Sequence, residues 1–514
     1  MQEVNWVALG IFVALFAFIS WLGFAAAHWR KGDLDQLHEW GLGGRRFGTL
    51  ITWFLVGGDV YTAYTFIAVP ALAFGAGAVA FFAVPYTIII YPLLFLVFRR
   101  LWHVCHKHGY ITAGDFVRGR FGNRWLALAV TITGIVATMP YIALQLVGIQ
   151  VVIGALGISG SGWAADLPLL IAFFVLAAFT YSSGLRAPAS IAVVKDVLIY
   201  ATALVAIIVI PMELGGFGKI FAAIPEKKLL LAVPGPATTG AYSGYATLAL
   251  GSALALFLYP HSLTGILSAS SGHAIRRNAA MLPGYTLMLG LLALLGFFVI
   301  AGGIDKLPEY AAGFKQFGNN FAVPALLLHS FPAWFVGIAF AAIGIGALVP
   351  AAIMSIAAAN LYTRNIHREF INKNPTDKQE STIAKLVSLI VKAGALVFII
   401  FVPTQYAIQL QLLGGIWIIQ TLPAVMLGAY TRWFNSWALL VGWAVGTVAG
   451  TEMAIITKLT PTFPLVVAGH TFPGYTAVYT VLLNLAVAAL LTPVFNAVAA
   501  RDPRDATVAT DYHT

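Results

Sequence analysis

Long apolar stretches separated by short polar connections run through the whole chain. A membrane-spanning helix needs roughly 20 mostly apolar residues, and about thirteen stretches are long enough. Backbone groups in lipid must pair within their own segment, and the alternation of a β-barrel is absent, so we predict helices. The thirteen stretches lie near 4–27, 49–74, 77–98, 126–156, 166–184, 187–213, 241–267, 282–303, 332–363, 383–402, 405–430, 437–457 and 475–499.

Glycine and proline interrupt four of these stretches, which we therefore expect to be too long or too broken for plain helices. In lipid, a loosened helix is tolerated only where its backbone is buried or lines a cavity. Paired breaks in the two halves of a chain indicate a transporter site. The interruptions are Gly57, Gly58, Asp59 and Pro70 in the second stretch, Pro140 in the fourth, Gly251, Ser252 and Pro260 in the seventh, and Gly344, Gly346 and Pro350 in the ninth.

The spacing of the breaks predicts the domain organisation. Stretches two and seven are five apart, which suits two five-helix repeats within one transmembrane transporter domain over 1–514. We place an extra first helix at 4–27, a first repeat at 48–214, a second repeat at 241–430 and two additional C-terminal helices at 437–499.

Composition excludes a water-soluble fold. Of 514 residues, 60% are hydrophobic and 9% are charged, whereas soluble domains average about 25% charged residues. The first stretch is too long for a signal peptide, so we keep it as a spanning helix. No nucleotide-binding loop, zinc-protease motif or nucleophile elbow appears where it could work, so we predict neither an enzyme nor a cofactor.

The positive charges predict how the chain is oriented. Of 29 Lys and Arg residues, twenty lie in one set of connections, six in the other and three within spans or at their ends. Positive connections face the cytoplasm, so we expect an inner-membrane protein with a periplasmic N-terminus and a cytoplasmic C-terminus. The net charge of +10 follows from this bias. It implies contact with anionic membrane lipids and requires no nucleic acid.

The single cysteine lies in a histidine cluster. Cys105 excludes a disulfide framework and stands close to His103, His106 and His108. Their spacing fits no zinc pattern. We therefore interpret this segment as a solvated basic loop and predict no certain metal site.

Charged residues within spans are candidates for function, because each costs ~2.5–3.5 kcal/mol at the bilayer centre on insertion scales. Asp59 either attracts a cation and fixes an unwound segment or caps the second half-helix, and the two roles are compatible. Lys195 and Asp196 point about 100° apart on a helix, so they are not expected to share a partner. They form a functional site or a structural pair that reaches different neighbours. Lys392 is placed nearer a span end, from which it can snorkel, and is interpreted as structural.

Hydroxyl groups follow the first break, at Tyr61, Thr62, Tyr64 and Thr65. A helix N-terminus with free N–H groups suits a carboxylate, and polar contact between helices is the alternative. Residues four apart, such as Tyr141 and Gln145, share a helix face. The candidate substrate-binding residues are Tyr61, Thr62, Thr65, Tyr141, Gln145 and Ser252.

Several motifs together resemble the sodium:solute symporter family. The loop and first broken helix correspond to WGLGGRRFGTLITWFLVGGDVYTAYTFIAVP (40–70), and the third loop to TAGDFVRGRFG (112–122). GLRAP followed by KDV, and AAIMSIAAANLY (351–362), also match the family pattern. YPHSLTGILSAS and RRNAAMLPGY resemble its monocarboxylate permease branch. The similarity runs from about 35 to 430 and then weakly to the end.

The resemblance implies an all-α LeuT-type core of two inverted five-helix repeats, with substrate at the midplane. It assigns a sodium ion to carbonyl groups and hydroxyls of core helices one and eight. Two positions depart from that pattern, since a hydroxyl is replaced by Ile356 and the threonine before Asp196 by Lys195. The candidate cation-site residues are Gly57, Asp59, Val60, Lys195, Asp196, Ala352, Ser355 and Ile356.

These features predict a secondary active symporter that imports short-chain monocarboxylates such as lactate and pyruvate by alternating access. Ile356 removes one oxygen ligand and Lys195 supplies the charge of the missing ion, so the proton is favoured over sodium as coupling ion, with uncoupled exchange as a third possibility. The alternatives are a sodium-coupled symporter of an amino acid (proline or alanine), a sugar or another small solute, and a gated channel. The paired breaks favour alternating access over a channel. Oligomeric state and stoichiometry stay open.

Overall fold

Helices make up almost the entire molecule. The computed structural model describes residues 3–29, 32–58, 60–158, 163–401, 407–498 and 505–513. The helices before the second break are α1 Trp6–Ala25, α2 Leu37–Leu42, α3 Thr49–Gly58, α4 Val69–Ala76, α5 Ala83–Leu93, α6 Arg99–His108, α7 Ala113–Phe121, α8 Arg124–Ala155, α9 Trp163–Ser183, α10 Arg186–Glu213, α11 Phe217–Ala223, α12 Glu226–Leu229 and α13 Tyr242–Leu256.

The remaining elements include one small hairpin. Strands β1 Thr462–Val467 and β2 His470–Tyr475 pair antiparallel between the last two helices. Wider helical turns of the π type occur at Tyr64–Ala68, Leu94–Phe98 and Thr363–Ile371. The later helices are α14 Pro260–Leu267, α15 Gly272–Met281, α16 Pro283–Ala301, α17 Ala311–Phe317, α18 Ala322–Ser330, α19 Ala333–Tyr362, α20 Asp377–Phe401, α21 Ala407–Ile418, α22 Leu422–Val425, α23 Ser436–Ile456 and α24 Thr476–Val498.

Each predicted apolar stretch coincides with helix in the described residues. Nine helical stretches there are long and apolar enough to cross a membrane, or ten when the bent pair α13 and α14 counts as one. This number is below thirteen partly because α3 is short and because Tyr64–His108 contains two predicted spans. Gly77, with φ of 75°, ends α4 at a turn between those two spans.

The breaks are confined to two of the four interrupted stretches. α3 ends at Gly58 and helix resumes at Tyr64, while α13 and α14 are bent by 51° across 257–259. The prediction of a break was wrong for α8 and α19, which continue through Pro140 and Pro350. The helices packed around α19 explain its continuity, because all of its residues from 341 to 360 are buried.

Two of the family-like motifs have structural roles at helix ends. Arg186, from GLRAP, donates to the buried carboxylate of Glu39, which also accepts from Arg46 at 2.7 Å. In TAGDFVRGRFG, Thr112 Oγ1 accepts from the Asp115 N–H at 3.0 Å and caps α7. These contacts hold the connections in place and leave the breaks as the candidate site.

Residues 505–513 fold back against α6 and α7. Lys107 Nζ donates to Asp511 at 2.6 Å, His108 lies 2.7 Å from the other carboxylate oxygen, and Arg120 donates to Asp505 at 2.8 Å. The predicted solvated loop around Cys105 was wrong, because the segment forms α6 and the cysteine is buried. Within the described residues, no group of three or more His, Cys, Asp or Glu side chains is placed to hold a metal ion.

Candidate functional site

The first break exposes backbone groups that side chains then satisfy. Thr65 Oγ1 donates to the Val60 carbonyl at 2.5 Å, and the Tyr64 N–H donates to Thr62 Oγ1 at 3.0 Å. The Ala63 N–H donates to Oε1 of Gln145 on α8 at 3.1 Å. The unwound segment is therefore held on one side by the predicted substrate residues. Asp59 lies outside the described residues.

Lys195 fills the other side of the break. Its Nζ donates to the carbonyl groups of Gly58 at 2.6 Å and Tyr61 at 3.1 Å, and it lies 3.0 Å from Oδ1 of Asp196. Both side chains are fully buried. An ammonium group has three N–H donors, so these three oxygens match its capacity. The chain thus places a lysine amine where the backbone of a broken helix presents carbonyl oxygens.

Tyr285, at the beginning of α16, closes this network. Its hydroxyl donates to Oδ2 of Asp196 at 2.6 Å, and its backbone carbonyl accepts from the hydroxyl of Tyr61 at 2.8 Å. The Tyr285 ring lies against Gly57, where a Cβ atom would stand 2.2 Å from the ring. The break is therefore fastened to α10 and α16 by a closed ring of contacts.

Two details of the predicted cation site differ. Lys195 and Asp196 were expected to have no common partner, and their hydrogen bonds do go to different groups, but the two side chains also contact each other at 3.0 Å. The lysine side chain is long enough to bend across the 100° between the two positions. The carbonyls that face the cation are those of Gly58 and Tyr61, one residue after the predicted Gly57 and Val60.

Two predicted substrate donors are used within the protein in this conformation. The Tyr61 hydroxyl donates to Tyr285, and the Thr65 hydroxyl donates to Val60, so neither has a hydrogen left for a carboxylate. Thr62 Oγ1 accepts from the backbone and keeps its own hydrogen. Thr62 and Gln145 therefore remain at the break as candidate contacts for substrate.

The second break adds two residues that the sequence analysis did not select. His261 is buried in the first turn of α14, and its ring lies 5.2 Å from that of Tyr141 in an edge-to-face contact. The ring of Tyr259 lies 5.3 Å from the ring of Tyr141. The Tyr259 hydroxyl donates a hydrogen bond to the Gln411 carbonyl at 3.1 Å. The predicted residue Tyr141 thus faces the second break.

Two buried hydroxyls complete the polar lining near the breaks. Ser252 Oγ, one turn before the end of α13, and the Tyr64 hydroxyl have no hydrogen-bond partner among the described residues. Their helical segments both pack against α21. A buried hydroxyl without a partner costs free energy, so these two are available to a polar ligand.

The remaining predicted cation residues lie on α19 in a second hydrogen-bonded group. Ser355 Oγ donates to the Ala352 carbonyl at 2.8 Å and accepts from Ser388 Oγ at 3.1 Å. Ser388 in turn accepts from Lys392 Nζ at 2.9 Å. Ile356 is buried beside them. The placement of Lys392 near a span end, from which it could snorkel, was wrong, because it is 1% exposed and lies near the middle of α20.

A sequence signal existed for some of the missed residues. Tyr285 is the last residue of RRNAAMLPGY, and Tyr259 and His261 are the first and third of YPHSLTGILSAS. These motifs assigned a branch of the family, while the residues inside them were not considered as ligands. Ser388 belongs to none of these motifs and has no comparable signal.

Comparison with known proteins places these motifs in context. The model of the sodium:solute symporter family matches residues 40–446. The monocarboxylate transport permease protein of Rhizobium johnstonii is 51% identical over 492 residues, which cover 95% of this chain and 97% of that protein. YodF, an uncharacterised symporter of Bacillus subtilis, is 31% identical over 497 residues, 96% of this chain and 95% of its own.

A solved structure confirms the predicted fold class. A Na⁺-coupled sialic acid symporter in its substrate-bound outward-open state superposes with a TM-score of 0.76. It is 16% identical, and the match covers 95% of this chain and 98% of that one. The fold is therefore of the LeuT type, while the residue boundaries of the two repeats stay predictions.

Proposed function

We propose that this chain, which belongs to the sodium:solute symporter family, imports short-chain monocarboxylates such as lactate and pyruvate together with a proton. Membership of the family makes it a multi-pass membrane transporter, not an enzyme, and implies a small solute and a coupling cation. The name of the relative that is 51% identical supports the monocarboxylate class. The chemistry at the two breaks supports the same class.

The observation that carries the coupling proposal is the position of Lys195. Its ammonium group takes the carbonyl oxygens of Gly58 and Tyr61, in the broken segment to which the family resemblance assigns a sodium ion, and it has Asp196 as counter-ion. A sodium ion at the same place would meet a like charge at close range, which is strongly unfavourable in a buried site. A proton gradient therefore replaces sodium as the driving force.

We place the carboxylate group of the substrate between the two breaks. His261 and Thr62 offer donors, and Ser252 and Tyr64 have hydroxyls without protein partners. The surrounding helices are apolar, which suits a short acyl group and offers little to a polyol. A carboxylate that binds here is stabilised by hydrogen bonds to a charged group, each contributing ~1.5–3 kcal/mol.

We also propose the orientation given by the positive charges, with the N-terminus in the periplasm. A small cavity is lined by Thr112, Gly134, Pro260 and Thr264 among others, beside the second break and the loop before α7. In the proposed orientation it lies on the cytoplasmic side. A reporter fused to the C-terminus that is active only in the periplasm would contradict the assignment.

Uptake into proteoliposomes tests the function. Labelled lactate is supplied with a pH gradient alone, a sodium gradient alone, or neither. We expect accumulation with the pH gradient alone and competition by pyruvate, but not by glucose or proline. Lys195→Ala should bind lactate weakly and lose accumulation, while Lys385→Ala, a partly exposed lysine outside the site, should match the wild type. Accumulation that requires sodium and ignores the pH gradient, or an active Lys195→Ala variant, would refute the proposal.

A further inference from the structure

The two buried lysines among the described residues, Lys195 and Lys392, differ in what surrounds them. Lys195 has two carbonyl oxygens and a carboxylate within 3.1 Å of Nζ. Lys392 has one hydrogen-bond partner in the described residues, Ser388 Oγ, and no described carboxylate lies within 4 Å of it. The first amine is held by a full set of acceptors, and the second is not.

Few charged residues lie close to Lys392 on the helices that surround it. α19, which packs along α20, has no charged residue, and the nearest charged residues of α20 itself lie two turns or more away. The ionisable residues on the elements packed against α20 are His38 and Glu39 in α2, Arg124 and Tyr141 in α8, Asp166 and Tyr181 in α9, Tyr362 in α19, and Arg364, His367, Arg368 and Glu369 in 363–371.

Lys392 is nevertheless connected to the candidate cation site. Three hydrogen bonds lead from its Nζ through Ser388 and Ser355 to the carbonyl of Ala352. Serine hydroxyls both donate and accept. A change in the charge of the amine therefore changes which way the hydroxyls point, and with them the potential at Ser355 and Ala352.

We propose that Lys392 is the group that takes up and releases the coupling proton, while Lys195 remains a fixed positive charge. The neutral amine takes one proton from the outer aqueous solution and, as an ammonium group, releases it to the inner aqueous solution. One proton therefore moves with one carboxylate, and the amine ends the cycle neutral as it began. The inference rests on the proton coupling proposed above. It differs from it by naming a residue on α20, outside both breaks.

The test separates coupling from transport in proteoliposomes. Counterflow exchange of labelled lactate requires no net proton movement, whereas accumulation driven by a pH gradient does. Lys392→Met has similar length and no proton to exchange, so we expect it to keep counterflow and to lose accumulation. With one proton per substrate, the wild type should accumulate lactate about tenfold per pH unit. Lys385→Met, two turns earlier on α20, is the matched control and should behave as wild type.

A second variant keeps the test decisive if Lys392→Met does not fold, as judged by thermal unfolding in detergent. Lys392→Arg retains a positive charge that proteins do not remove, and we expect it also to lose accumulation. Either variant with wild-type accumulation overturns the assignment to Lys392. A wild type without response to the pH gradient would instead refute the proton coupling itself, so the two failures are distinguishable.

Discussion

Gly58→Ala tests whether the break and Lys195 depend on each other. A Cβ atom built on Gly58 lies 2.8 Å from Lys195 Nζ and 3.4 Å from both carboxylate oxygens of Asp196. The contact is with the tip of a flexible side chain, so the fold survives and the amine withdraws. The 2.6 Å hydrogen bond from Nζ to the Gly58 carbonyl then weakens.

The expected change in the unfolding free energy of Gly58→Ala follows from two opposing effects. Losing a hydrogen bond to a charged group costs ~1.5–3 kcal/mol, and replacing glycine by alanine in a helix gains ~0.5–1 kcal/mol. The net expected loss in unfolding free energy is about 0.5–2.5 kcal/mol. Gly284→Ala is the matched control, because a Cβ there meets nothing within 4 Å and only the gain remains.

Thermal unfolding in detergent and lactate accumulation under a pH gradient measure the effect. We expect Gly58→Ala to unfold at a lower temperature than wild type and to accumulate less lactate, and Gly284→Ala to do neither. If the two variants unfold and transport alike, the lysine is not held by this segment. That result would refute the proposal that Lys195 is a positive charge held at the first break.

Three further outcomes are expected. Thr65→Val removes the hydrogen bond to Val60 and should lower stability by ~0.5–1.5 kcal/mol; thermal unfolding equal to that of wild type would show the bond to be absent. His261→Phe keeps a ring against Tyr141 but no N–H, so KM for lactate should rise at least about tenfold, and an unchanged KM removes His261 from the site. Burial opposes ionisation of Asp511, but hydrogen bonds from Lys107, His108 and the backbone hold its pKa well below its ordinary value. The contact is therefore complete above an ordinary aspartate pKa and is lost only as pH falls through the lowered one. Amide hydrogen exchange in 505–513 should accordingly be faster in Asp511→Asn than in the wild type at both pH 8 and pH 5, and equal rates would show that Asp511 does not hold the segment.

The apolar pattern predicted the helices well because each span satisfies its own backbone. Length and hydropathy are properties of one segment, so α1, α8 and α24 begin and end close to their predicted positions. Proline was a poor predictor of breaks. Pro140 and Pro350 lie inside continuous helices. Neighbouring helices support the backbone at the position where each proline removes one helical hydrogen bond.

Only part of the site was predicted, because the side chains that contact each other there come from helices far apart in the sequence. Lys195 was predicted to be a surrogate cation because it replaces the threonine that precedes Asp196 in the family pattern. Its Nζ donates to the Gly58 carbonyl at the break, and the surrogate role stays a prediction. Its carbonyl partners were off by one residue, since sequence does not define where an unwound segment turns. The direction in which Tyr61 and Thr65 donate depends on Tyr285 and on the shape of the break, and neither is visible in a local pattern.

The Gln145 contact and the Lys195 contact meet on almost the same backbone atoms. Lys195 holds the carbonyl of Tyr61, and Gln145 holds the N–H of Ala63, two residues further on. Two residues span at most about 7 Å, so a shift at one contact displaces the other directly. A displacement of Lys195 therefore reaches the residue that Gln145 contacts through one short segment of main chain, with no other helix between them.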